Sequence, residues 1–174
     1  IMPKSFQQKL KILYLMRVFA EKTDEAHPMS VKDLIAYLEN FGIHAERKTI
    51  YDDIETLRVF GMDIMNRRER PSGFYLASRE FEVAELKLLV DAVQSSRFLT
   101  TGKSRQLIQK LESLTSIYQA KDLQRQVIVQ NRVKNTNENI YYNIDEIHRA
   151  ISQNRQISFQ YTEWTVSKER QLKK

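Results

Sequence analysis

The stretch from Glu46 to Leu76 constrains this chain more than any other. From Arg47 to Phe60, Ile50, Ile54 and Leu57 fall in one narrow arc at about 100° per residue, the mark of a helix with one buried face. Gly61 follows at once, the residue that most readily ends a helix in the left-handed conformation. MDIMN and GFYLAS then flank RRERPSG, a pattern of strand, basic turn and returning strand. A helix followed by a basic hairpin predicts a winged helix-turn-helix within residues 1–80.

The preceding residues supply the helices that such a unit needs. Lys4 to Lys22 reads as a first helix. Phe6, Leu10, Leu13, Met16 and Ala20 recur at helical spacing there, and Ile12, Leu15 and Phe19 widen the stripe. After the polar loop KTDEAHP, Ser30 is placed to cap a second helix, with Asp33 at capping-box spacing. Val31, Leu34, Ile35 and Leu38 give that helix its buried face, and Asn40 to Gly42 stop it.

Charge supports a nucleic-acid reading only locally. The chain carries a net charge of +6, yet residues 1–80 hold 13 Lys+Arg against 12 Asp+Glu, so the excess lies downstream. The expectation of duplex DNA as partner therefore rests on placement. Arg47, Lys48 and Thr49 occupy the first turn of the third helix, where side chains and backbone N–H groups can meet phosphates and base edges. Tyr51 offers a hydroxyl to phosphate, and Asp52 an acceptor for a cytosine amino group. Thr56 lies on the same exposed side. Arg67, Arg68 and Arg70 at the hairpin tip suit a minor groove or flanking phosphates, and Ser30 and Lys32 can add phosphate contacts from the second helix. Competing structural roles are open: Arg47 and Arg58 covering the core with their stems, Lys48 pairing with Asp52, Ser30 acting as a cap alone. The acidic run Asp52, Asp53 and Glu55 is unfavourable beside phosphates.

Beyond residue 80 the pattern changes. Phe81 to Phe98 and Lys103 to Tyr118 read as two amphipathic helices separated by a break at Thr100 to Ser104. They are expected to pack as an antiparallel pair against the first helix, or to offer a dimerisation surface. Gln126 to Val133 is rich in strand formers, NTNEN reads as a turn, and Ile144 to Gln153 as a short helix with Ile144, Ile147 and Ile151 on one face and His148 half-buried. Ile157, Phe159 and Tyr161 alternate with Ser158 and Gln160 as in a strand. The expected architecture is mainly α with a small β wing (α+β). A winged helix-turn-helix fills residues 1–80, a helical linker residues 81–122, and the start of a second, β-containing domain residues 123–174.

Several function classes recede. With no cysteine, disulfides and thiolate metal sites are excluded. The apolar run Ile12 to Leu15 is too short for a membrane span, and no small-residue cleavage site follows it, so the expectation is a cytoplasmic protein without membrane association. His27, His44 and His148 are scattered, no nucleophile–base pair or metal spacing stands out, and the 4 glycines form no nucleotide loop. Neither catalytic residues nor a cofactor are expected. An accessory domain of a biotin-ligase-type enzyme, or a winged helix that binds only protein, remains as an alternative.

The order SVKDL, ERKTIYDDIETLRVFG, basic hairpin, FEVAELKLLVDAVQSSRFLTTGKSRQLIQKL, NIDEIHRAI and ISFQY resembles bacterial transcriptional regulators of the WYL-domain type, with a DeoR-like N-terminal winged helix. The similarity runs through nearly the whole chain. It implies a dimeric regulator whose C-terminal Sm-like barrel senses an effector ligand. Arg47, Lys48, Thr49, Tyr51 and Asp53 match that family's recognition motif; Asp52 departs from it, where many relatives carry a basic residue. The Trp-Tyr-Leu motif is absent, since Trp164 is followed by Thr165. Only the first helix and strand of the barrel domain, Ile144 to Tyr161, are recognisable, so the sensor is expected to be truncated.

Overall fold

The structure is a computed structural model that describes residues 4–125, 134, 139–160, 162–164 and 170–172. Its elements run α1 (Lys4–Lys22), α2 (Val31–Glu39), α3 (Arg47–Phe60), β1 (Ile64–Arg67), β2 (Gly73–Leu76), α4 (Val83–Ser95), α5 (Thr101–Glu112), α6 (Ile117–Arg125), α7 (Ile140–Ser152), β3 (Thr162–Trp164) and β4 (Arg170–Leu172). Among the described residues the fold is mainly helical, with two small two-stranded antiparallel sheets.

The first three helices share one core with the β1–β2 hairpin. Leu15, Val18 and Phe19 of α1, Leu34 and Leu38 of α2, Ile50, Ile54 and Leu57 of α3, Ile64 and Phe74 are all buried in it. Emptying such a position costs several kcal/mol; a buried Phe or Leu cut back to Ala typically loses about 2–5. The buried stripe of α1 differs from the periodicity read in the sequence: Leu13 is 53% exposed, whereas Val18 is fully buried. Nearly every position from Leu10 to Ala20 is apolar or bulky, so spacing alone does not fix the centre of that stripe.

Local signals set the ends of α2 and α3. The Ser30 side chain accepts from the Asp33 backbone while the Asp33 carboxylate accepts from the Ser30 N–H, a complete capping box. Gly61 closes α3 with φ 111°, a left-handed backbone that suits glycine. Strand β1 pairs antiparallel with β2 in the register Ile64↔Leu76, Asn66↔Phe74. Met29, just before α2, bridges to Phe74 by two backbone bonds of 2.9 and 2.8 Å, tying the hairpin to the mouth of α2.

The second half departs further from expectation. Lys103 to Tyr118 is not one helix but the end of α5, a turn and the start of α6. The Ser113-Leu-Thr-Ser116 segment explains the break, because hydroxyls compete with helical backbone bonds. Ser113 Oγ donates to the Lys110 carbonyl, and Ser116 Oγ accepts from the Gln119 N–H, capping α6. Nor is Thr100 to Ser104 a gap: Thr100 caps α5, which begins at the next residue. Helix α4 packs on α5 and α6, and α6 reaches α1. Helix α7 begins four residues earlier than its apolar spacing suggests, at Ile140, and its Ile144, Ile147, Ile151 and His148 are all exposed.

Residues 156–160 form no strand, and Ile157 and Phe159 are exposed. A lone strand has nothing with which to pair its backbone, and among the described residues none is paired with this segment. The second sheet instead pairs Thr162–Trp164 with Arg170–Leu172, in what reads as a tail. The strand expected at 126–133, the residues 135–138 of the expected turn and Tyr161 lie outside the described residues. No helix among the described residues is long and apolar enough to cross a membrane.

Candidate nucleic-acid interface

Three elements converge on one cleft of about 540 Å³: the start of α2, the first turns of α3, and the β1–β2 hairpin. Six of the expected contact residues line it, namely Ser30, Lys32, Arg47, Tyr51, Arg67 and Arg68. Asn66 and Ser72 join them, and neither is conspicuous in the sequence. The only signal for Asn66 is a polar residue ending the MDIMN run. Phe74 forms the floor, 8% exposed, with the Tyr51 ring edge-on at 6.0 Å.

Each cationic side chain has a distinct setting. The Arg47 guanidinium lies 5.9 Å from the Tyr51 ring centroid and donates to the Tyr51 hydroxyl at 3.2 Å, so the two present a joined polar edge. Arg67 donates to the Glu25 carbonyl at 2.7 Å, which anchors one nitrogen and leaves the rest of its fork for other acceptors. Lys32, Lys48, Arg68 and Arg70 make no ion pair among the described residues. In particular, the Lys48–Asp52 pair that their spacing allows does not form. Arg70 precedes a cis peptide bond to Pro71 at the exposed hairpin tip.

Five of the sequence candidates lie away from the cleft: Lys48, Thr49, Asp52, Thr56 and Arg70. Lys48 and Asp52 are exposed on α3. The Thr49 hydroxyl donates to the Glu46 carbonyl at 2.8 Å, and that of Thr56 to the Asp52 carbonyl at 2.9 Å, so both hydrogens serve the helix itself.

The acidic run on α3 is largely neutralised from within. Asp53 pairs with Lys11 of α1 at 2.7 Å, both side chains mostly buried. Glu55 takes Arg58 at 2.5 Å, while Arg58 Nε donates to the Ile64 carbonyl at 2.7 Å and its guanidinium lies 5.9 Å from the Phe74 ring. Arg58 is thus a structural staple between α3 and β1. Of the three acids, Asp52 alone has no salt bridge among the described residues.

A second cluster lies behind the hairpin, in the loop from Thr23 to His27. Asp24 is 4% exposed and accepts from the N–H groups of Ala26 and His27, from His27 Nδ1 at 2.7 Å and from Ser116 Oγ at 2.5 Å. Burial raises the Asp24 pKa, but the hydrogen bonds from Ser116 and His27 and the nearby imidazole outweigh it, holding the carboxyl below its ordinary value. The His27 ring stacks on Tyr118 at 3.7 Å. Arg79 donates to the Thr23 carbonyl, and the Leu76 N–H to the Thr23 hydroxyl. Among the described residues no three His, Cys, Asp or Glu side chains gather as a metal-binding group.

Compared with protein-family models, with curated proteins and with solved structures, the chain has no match.

Proposed function

We propose that residues 1–80 form a winged helix-turn-helix and that the protein is a sequence-specific, double-stranded-DNA-binding transcriptional regulator of the WYL-domain type. The observation that carries this reading is the cleft itself. Arg47 and Tyr51 from α3, Lys32 from α2 and Arg67 and Arg68 from the hairpin share one lining, although three separate elements supply them. A surface that gathers arginines from a helix start and a hairpin suits a duplex: the helix addresses base edges in the major groove, and the hairpin the adjoining phosphates. Internal pairing of Asp53 and Glu55 removes most of the electrostatic objection to that helix. In the same reading residues 81–122 are the linker and dimerisation region, and residues 123–174 belong to an effector-sensing domain.

Selection of duplexes from a random library by the purified protein tests this reading. Enrichment of two half-sites separated by about one helical turn is the expected result. Failure to enrich any sequence, with no retention of duplex at low salt, would overturn it.

A further inference from the structure

Among the described residues Arg67 alone lines both the cleft just described and a second one, of about 570 Å³, between the Asp24–His27 loop and α6. Its anchor is the backbone carbonyl of Glu25, in a loop closed by the His27 N–H bond to the Asp24 carbonyl and tied at Thr23 to Leu76 and Arg79. Asp24 organises it from inside by accepting from Ala26 and His27. From outside, Ser116 donates to the second Asp24 oxygen across 92 residues of sequence, and Tyr118 covers the His27 ring. Ser116 is fully buried and also caps α6, so its hydroxyl is fixed by the α5–α6 turn.

We propose that Ser116 and Tyr118 are positioning residues for DNA contact by Arg67: the α5–α6 junction fixes the Asp24–His27 loop, whose Glu25 carbonyl holds the arginine over the duplex-facing cleft. An arginine held by one nitrogen loses less rotamer freedom when its remaining nitrogens bind an anion, which favours association. The junction of the helical region thereby tunes affinity from a distance, through one carbonyl. The inference rests on the DNA-binding reading above.

A double-mutant cycle on the full chain tests it, using fluorescence anisotropy with a labelled duplex of about 30 base pairs, long enough for two half-sites. Arg67→Ala is expected to weaken binding about tenfold, and Ser116→Ala about three- to tenfold. In the Arg67→Ala background, Ser116→Ala should change affinity less than about twofold, because the group it positions is gone. Ser116→Thr, which keeps the hydroxyl, should restore most of the binding. Tyr118→Leu, a change on a half-buried ring, provides the same cycle should Ser116→Ala melt the fold. Equal factors in both backgrounds, or no effect of Arg67→Ala, would overturn the positioning role while leaving the DNA-binding reading standing. Absence of any duplex binding by the unaltered protein overturns both.

Discussion

The backbone of Gly73 lies directly against that of Met29: a Cβ added at Gly73 would sit 2.4 Å from the Met29 carbonyl oxygen and 2.8 Å from the Ser30 nitrogen. Its φ of 154° lies in the region that side chains avoid. The two constraints have one origin. Phe74 must exchange backbone bonds with Met29 for the hairpin to close over the α2 start, and only a residue without a side chain brings the strands that near.

Gly73→Ala is therefore expected to destabilise the protein by more than about 2 kcal/mol, combining backbone strain with a clash against backbone atoms that cannot swing away. Ser72→Ala, one residue earlier and exposed, should change stability by less than about 0.5 kcal/mol. Urea denaturation of both variants checks the contrast. Equal midpoints would show that the hairpin does not dock on Met29.

The Lys11–Asp53 pair makes a second prediction. Removing Lys11 leaves a mostly buried carboxylate without its cation, so Lys11→Met should cost about 2–4 kcal/mol. Adding Asp53→Asn to that variant should recover most of the loss, since the uncompensated charge is then gone. Thermal melts of the single and double variants decide it; a double variant no more stable than the single one would assign the loss to packing of the lysine stem.

Features specified by neighbours in sequence were legible before the structure, and those specified by distant partners were not. Ser30 and Asp33, three residues apart, announce the capping box; Gly61 announces the end of α3; Ile50, Ile54 and Leu57 announce its buried face. By contrast, Asp53 reads as part of an acidic run until Lys11 is found beside it, and nothing near Asp24 in sequence points to Ser116. The hydroxyl-rich Ser113 to Ser116 segment did carry its signal, a break between α5 and α6, but the apolar periodicity on both sides masks it. Asn66 reaches the cleft through its register opposite Phe74, and Ser72 from the turn just before β2, neither of which a sequence prints.

Replacing Arg67, Arg68 and Arg70 together with alanine should flatten the salt dependence of duplex binding. Every arginine that no longer neutralises a phosphate lowers the slope of log K against log salt by about 0.9. Arg67 and Arg68 line the cleft and Arg70 does not, so Arg70→Ala alone should have the smallest effect. Titrations at several salt concentrations measure the slopes. A triple variant with an unchanged slope would remove the hairpin from the interface.

Asp24 sets how the fold responds to acid. Its carboxyl is held below the ordinary value in the folded chain, so it favours folding at every pH where it is ionised in both states, above about 4. That contribution disappears as pH falls through the folded-state value, when the proton taken up displaces the bonds from His27 and Ser116. Asp24→Asn should lower the melting temperature at neutral pH and leave a shallower fall on acidification than the unaltered protein shows. Ser116→Ala removes one of the bonds that lower the Asp24 pKa, and should move the acid transition to higher pH. Melting curves recorded from neutral pH down to about 3 separate these outcomes; parallel acid limbs for all three proteins would mean that Asp24 does not govern the transition.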